Sequence, residues 1–134
     1  PHTALDPNVV FFSLFPGIQE SIVRHVLEAP ELRGIVMRSY GSGNAPQQPW
    51  LLRLLKDATY RGVTIVNISQ CIAGRVEMGR YDTGYQLKSA GVVSGYDSTV
   101  ESAVTKLMYL QARFNDCHVI RSYMNRSICG EINE

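Results

Sequence analysis

Three short apolar runs alternate with amphipathic stretches in the first half of the chain, and this alternation restricts the possible folds more than any other feature. The runs cover residues 9–15, 34–39 and 63–68, and valine, isoleucine or phenylalanine recurs in each of them. Short apolar runs of this kind are typical of strands that are buried on both faces. Because strands that alternate with helices form parallel sheets covered by those helices, the pattern predicts an α/β domain.

The stretches between these runs have apolar residues at helical spacing. The stretch after the first run ends at Pro30, and the stretch before the third run begins with Pro49, which suits the first turn of a helix. The first predicted helix has on one face Ile18, Ile22, Val23, Val26 and Leu27. The second has on its core side Leu51, Leu52, Leu54, Leu55 and Ala58.

The second half of the chain adds a short strand and further helices. Residues 85–90 are predicted to be a short helix and residues 91–94 a fourth strand. Ser98 and Glu101 have the spacing of a capping box for a long helix, and Asp116 is the predicted cap of a final helix. The apolar face of the long helix comprises Val100, Ala103, Val104, Leu107 and Leu110. The prediction is a three-layer, Rossmann-like domain with a parallel sheet of about four strands and helices on both faces.

Composition and the ends of the chain limit its organisation and its partners. The 134 residues are 45% apolar and 19% charged, as expected for one globular domain, and the net charge of +1 favours neither nucleic acid nor a membrane as partner. Residues 1–8 begin without methionine and are predicted to be a linker, with residues 9–134 as the domain of a longer protein. The three cysteines, Cys71, Cys117 and Cys129, are odd in number and irregularly spaced, which favours a reducing, cytoplasmic setting.

Most of the polar character lies directly after two of the predicted strands, at residues 38–46 and 67–81. Both segments follow carboxyl ends of parallel strands, so we expect them at one edge of the sheet, where ligands bind in such folds. The planar guanidinium of Arg38 can make two parallel hydrogen bonds to the carboxylate of a ligand. An ion pair with a carboxylate of the same chain is an equally good interpretation of this arginine. Asn44 adds an amide beside the glycines, whereas Cys71 alone indicates a buried structural thiol.

A nucleotide site is a weaker interpretation of the glycine-rich turn at residues 41–46. Gly41 and Gly43 begin a dinucleotide fingerprint, but Pro46 occupies the third glycine position. The next strand contains Asn67 where an acidic residue would contact the ribose. A flavodoxin-like domain would instead place a phosphate near residues 41–44.

Metal and hydrolytic sites are also poorly supported by the sequence. His2, His25 and His118 have no second ligand at helical spacing, and Cys117 and His118 are expected to point in different directions. We therefore predict no metal and no cofactor. The chain has no Gly-x-Ser-x-Gly elbow, and no histidine base can be named for Ser42.

Six segments together resemble the carboxyl-terminal domain of the type I, cytoplasmic bacterial L-asparaginases. The first three are Phe15-Pro16-Gly17-Ile18, residues 38–46 (RSYGSGNAP) and residues 66–71 (VNISQC). The others are residues 78–84 (MGRYDTG), residues 90–97 (AGVVSGYD) and Gly130-Glu131. These segments occur in the family's order and cover nearly the whole chain, which makes the resemblance more specific than any single motif.

The resemblance implies a role in the hydrolysis of L-asparagine to L-aspartate and ammonia. In this family the nucleophilic threonine and the assisting Thr-Lys-Asp group belong to a larger amino-terminal domain, and this chain contains none of those motifs. No catalytic residue is therefore expected here, and the fragment alone should be inactive. The family implies self-association into a dimer or tetramer, in which Asn44 contacts the substrate in a neighbouring subunit's active site.

Some type I enzymes bind a second asparagine as an allosteric effector, and the matching positions here are Arg38, Ser69 and Cys71. Arg38 would bind the effector carboxylate, Ser69 would offer a hydroxyl where related sequences often have threonine, and Cys71 would contribute backbone and a small side chain. The alternative, from another functional class, is a stand-alone regulatory module that binds an amino acid without hydrolysing it.

Overall fold

The chain folds into alternating strands and helices, as its apolar runs predicted. The computed structural model describes residues 5–15, 17–39, 49–69, 87–95 and 99–124. The strands within these residues are β1 (Val9–Ser13), β2 (Gly34–Ser39), β3 (Thr64–Ser69) and β4 (Val93–Ser94). The helices are α1 (Glu20–Leu27), α2 (Pro49–Tyr60), α3 (Val100–Arg113) and α4 (Cys117–Met124), and residues 87–89 are also helical.

The four strands form one parallel sheet in the order β1-β2-β3-β4. One row of paired residues runs across all four strands and comprises Phe12, Met37, Asn67 and Ser94. The predicted fold class is confirmed, since helices cover both faces of a small parallel sheet. β1 is shorter than the apolar run, because the chain leaves the strand at Leu14. The amide of Leu14 still donates a hydrogen bond to the backbone oxygen of Arg38 at 2.8 Å.

Helices α1 and α2 cover one face of the sheet. Ile35, Met37 and Ile65 point into this core, which also contains buried side chains of both helices. The predicted core residues of α2 are confirmed, with Leu52 at the margin. Ile22 was predicted to face the core and is 63% exposed instead. The buried stripe of α1 runs from Val23 to Leu27, and Ile22 is turned about 100° from Val23 around the helix axis.

Helices α3 and α4 cover the other face, where Val36, Val66 and Ile68 form the second core. The predicted apolar face of α3 is confirmed, with buried contacts from Ala103, Leu107 and Leu110. The predicted capping box is wrong, because the helix cap is Thr99, whose hydroxyl accepts a hydrogen bond from the amide of Ser102 at 3.1 Å. The predicted cap of the last helix is confirmed, since Asp116 Oδ1 accepts from the amide of His118 at 2.9 Å.

Arg33 fastens the segment before β1 to the amino edge of the sheet. Its guanidinium lies 2.7 Å from a carboxylate oxygen of Asp6 and donates to the carbonyl oxygens of Gln111 and Phe114 at 2.8 and 3.1 Å. Burial raises the pKa of Asp6, but the hydrogen bonds from Asn8 and Arg33 and the charge of Arg33 outweigh it, so the pKa lies below its ordinary value. These bonds anchor residues 6–8 to α3. None of the helices in the described ranges has the length and apolar character needed to cross a membrane.

Candidate ligand site at the carboxyl edge of the sheet

The two polar segments, residues 38–46 and 67–81, begin on neighbouring strands at the carboxyl edge of the sheet. Arg38 pairs with Ile68, and Ser39, the last residue of β2, pairs with Ser69, the last residue of β3. The prediction that these strands end at one edge is therefore confirmed. Asn44 and Cys71 lie outside the residues that the structure describes, so the roles proposed for them stay predictions.

Arg38 is held in a defined position at this edge. Its side chain is half-buried, and the carbon of its guanidinium lies 5.4 Å from the centre of the Phe11 ring. An arginine over an aromatic face gains a cation–π interaction and loses part of its freedom of movement. Its backbone carbonyl is fixed by the amide of Leu14. The Phe11 contact thus restrains the guanidinium, and the strand alternation places it with Val36 on the face that α3 and α4 cover.

Asn67 is a buried polar residue beside this edge that sequence reasoning did not single out. It is 0% exposed in β3, and within the described part of the chain neither its side-chain oxygen nor its side-chain nitrogen has a hydrogen-bond partner. Its backbone carbonyl accepts from the amide of Gly95 at 2.9 Å, which ties β3 to the segment after β4. The sequence did contain a signal, since Asn67 interrupts an otherwise apolar strand.

An apolar cavity lies beside α1 near the end of β1. Its volume is about 390 Å³. Its lining consists of Phe12, Ser13, Phe15, Gly17, Ile18, Gln19, Ile22, Val23 and Val26. This set includes no charged side chain, so the cavity offers no ion-pair partner for the carboxylate or ammonium of an amino acid.

At the start of α4, three possible metal ligands lie closer together than the sequence predicted. Side-chain ligand atoms of Asp116, Cys117 and His118 lie within 4.8 Å of one another, although adjacent helical residues were expected to diverge. The cap accounts for the Asp116 carboxylate, which turns back to accept from the amide of His118. It does not explain the proximity of the Cys117 and His118 side chains, and the absence of a metal stays a prediction.

Comparison with known proteins places these features in a family. Residues 8–124 match the glutaminase/asparaginase C-terminal domain. The chain is 43% identical to L-asparaginase 1 of Escherichia coli over 120 residues, which are 90% of this chain and 35% of that protein. It is also 43% identical to the 60 kDa lysophospholipase of Mus musculus over 109 residues, which are 81% of this chain and 19% of that protein.

A solved structure supports the same relationship. L-asparaginase I from Vibrio cholerae superposes with a TM-score of 0.90 at 39% identity, covering 98% of this chain and 40% of that one. The chain thus spans well under half the length of each of these relatives. Because the family match extends over most of the residues and the fold agrees, the chain belongs to the glutaminase/asparaginase C-terminal domain family.

Proposed function

We propose that this chain is the carboxyl-terminal domain of an L-asparaginase that hydrolyses L-asparagine to L-aspartate and ammonia. The observation that carries the proposal is the agreement with L-asparaginase 1 of Escherichia coli along nearly the whole chain. The structural likeness to L-asparaginase I of Vibrio cholerae supports it. Residues 1–8 would link this domain to an amino-terminal domain that supplies the nucleophile.

Hydrolysis of a carboxamide needs an activated nucleophile that attacks the amide carbon, and donors that stabilise the oxyanion. We propose that both the nucleophile and the oxyanion donors belong to the amino-terminal domain. This chain would associate with other subunits as a dimer or tetramer and would place Asn44 in a neighbouring active site. Its cysteine content supports a cytoplasmic location for the whole protein.

The same domain is proposed to bind asparagine as an allosteric effector through Arg38, Ser69 and Cys71. The support is the position of Arg38 and the neighbouring strand ends. The guanidinium is fixed over Phe11 at the edge where β2 and β3 end together. A planar fork in that position suits the α-carboxylate of a free amino acid.

The proposed function predicts that the full-length protein releases ammonia from L-asparagine and no fatty acid from lysophosphatidylcholine. Both substrates need testing, because relatives named for either activity share this domain. The measurement is coupled detection of ammonia beside a free fatty acid assay on the same preparation. Fatty acid release without ammonia would mean that the protein is a lysophospholipase and not an asparaginase. Binding of asparagine with neither product would favour the regulatory module.

The effector role predicts that Arg38→Ala makes the sigmoidal dependence of activity on asparagine concentration nearly hyperbolic, while kcat at saturation changes little. Loss of hydrogen bonds to a charged group weakens effector binding by about 1.5–3 kcal/mol, roughly 10- to 150-fold. Initial rates over a wide range of asparagine concentration measure both quantities.

Arg53→Ala is the matched control, because Arg53 is an exposed arginine on α2, which covers the face of the sheet opposite to Arg38. It is expected to keep wild-type kinetics. If Arg38→Ala retains the wild-type sigmoidal curve, Arg38 is not an effector ligand.

A further inference from the structure

Three metal-ligating side chains meet where α4 begins. They belong to Asp116, Cys117 and His118, and one ligand atom from each lies within 4.8 Å of the other two. Cys117 and His118 are the first two residues of α4, and adjacent helical residues point about 100° apart around the helix axis. The cap that Asp116 forms does not require these two side chains to approach each other. Their convergence is therefore an observation separate from the cap.

The carboxylate of Asp116 can cap the helix and bind an ion at the same time. Its Oδ1 atom accepts a hydrogen bond from the amide of His118 at 2.9 Å. An ionised carboxylate has two oxygens with about four lone pairs between them, so the cap uses only part of its capacity. The cap thus holds the carboxylate beside the other two ligands.

The cluster lies on the surface of the domain, where an ion can reach it. Asp116 and His118 are exposed, and Cys117 is half-buried. Within the described residues Cys117 is a free thiol. All three ligands are therefore accessible to a metal ion, and water can occupy the coordination position that they leave open.

The charges around the cluster are compatible with a divalent cation. Of the two arginines nearest in sequence, Arg113 has its guanidinium carbon 5.0 Å from the centre of the Tyr109 ring. Arg121 donates to the backbone oxygens of Thr59 and Val63 at 2.9 and 3.2 Å. The partial positive charge at the start of α4 opposes a cation but favours the ionised thiol. A thiolate and a carboxylate together neutralise the charge of a divalent ion.

The ligand set points to zinc rather than to magnesium or calcium. Thiolate and imidazole suit zinc, whereas magnesium and calcium prefer oxygen ligands. In a tetrahedral zinc site the metal–ligand distances are about 2.0–2.3 Å, which places the ligand atoms about 3.5 Å from one another. No pair in the cluster has to approach by more than about 1.3 Å, a distance that small side-chain rotations cover.

We propose that Asp116, Cys117 and His118 bind one Zn²⁺ ion, with water as the fourth ligand. The thiol of Cys117 loses its proton to the solvent as its sulfur binds the metal, and the imidazole of His118 binds through a neutral ring nitrogen. The site lies at the joint between α3 and α4. This inference goes beyond the proposed function and does not depend on it. It replaces the expectation from the sequence that the chain binds no metal.

Titration of the reduced, chelator-treated full-length protein with Co²⁺ alone tests the inference. Co²⁺ bound by a thiolate absorbs in the near ultraviolet through sulfur-to-metal charge transfer. The wild type is expected to show this band, and Zn²⁺ is expected to remove it by displacing the cobalt. Cys117→Ser is expected to lose the contribution of one site per chain. Calorimetry should show Zn²⁺ binding weakened by about 100-fold or more, since changing groups that only support a ligand already costs about 10- to 100-fold.

Asp116→Asn separates the helix cap from the metal ligand. Asparagine caps helices as well as aspartate does, so the unfolding midpoint in urea without metal is expected to stay unchanged. The amide lacks the negative charge of the carboxylate, and Zn²⁺ binding is expected to weaken by about tenfold or more. Unchanged Zn²⁺ affinity in this variant would mean that the carboxylate only caps the helix, and would overturn the three-ligand assignment.

His25→Gln is the matched control for His118→Gln, because both histidines are exposed on helices. His118→Gln is expected to weaken Zn²⁺ binding as Cys117→Ser does, whereas His25→Gln keeps the wild-type affinity. No metal binding by the wild type, or equal binding by wild type, Cys117→Ser and His118→Gln, would overturn the proposal. Should Cys117→Ser fail to fold, Cys117→Ala replaces it. If neither variant folds, the thiol has a structural role and the assignment is overturned.

Discussion

The isolated chain of 134 residues is expected to release no measurable ammonia from L-asparagine, whereas the full-length protein is expected to release it. The reason is chemical: amide hydrolysis requires a nucleophile, its base and oxyanion donors in one site, and this chain supplies none that the sequence identifies. Removing a nucleophile together with its supporting groups lowers kcat by about 10⁶-fold in a well-studied hydrolase. Here the expected difference exceeds roughly 10³-fold, even when residual catalysis by the remaining groups is allowed for.

The measurement is ammonia release by equal molar amounts of the two proteins, with circular dichroism to establish that the fragment is folded. Adding a separately expressed amino-terminal domain provides the positive control, because the two pieces together are expected to contain every group of the proposed site. Clean turnover by the folded fragment alone, retained after a second chromatographic step, would contradict the missing-nucleophile argument.

The sheet could be predicted from the sequence because its central strands, β2 and β3, are buried on both faces and therefore apolar almost throughout. The bounds of β2 were predicted exactly, since glycine precedes it and a polar turn follows it in the sequence. Helix details were harder to predict. Ile22 has the spacing of a core residue, but α1 buries only a narrow stripe against the sheet and α2. Thr99 and Ser98 are both good caps, and the choice depends on where α3 docks.

The candidate site could be predicted only in part. The edge follows from topology, because parallel strands place their carboxyl ends together, and that prediction is confirmed by the pairing of Ser39 with Ser69. The unpaired state of Asn67 could not be predicted, since it depends on every neighbour of the amide in three dimensions. The convergence of Asp116 and His118 was missed for a related reason, because capping changes the direction of a side chain that precedes a helix.

Replacing Gly34 with alanine is expected to destabilise the domain by about 3 kcal/mol, at the upper end of the usual cost of overpacking. Gly34 is buried in β2 beneath α3. A methyl group there would lie 2.6 Å from a methyl carbon of Leu107 and would overlap the side-chain oxygen of Gln111. Neither α3 nor the sheet can withdraw without loosening the core around Leu107, which is fully buried. Urea unfolding of the full-length protein, monitored by a signal from this domain, measures the change.

Gly62→Ala separates steric overlap from the backbone preference of glycine. Gly62 has φ of 98° and nothing within 4 Å of the added carbon, so its replacement costs only the strained backbone, about 1 kcal/mol. Gly34→Ala should cost clearly more, and its cost should fall by about 1 kcal/mol in a Gln111→Ala background, where one of the two overlaps is gone. Equal costs in both backgrounds would mean that Gln111 does not contribute to the overlap at Gly34. The cost of Gly34→Ala would then have to come from Leu107 alone.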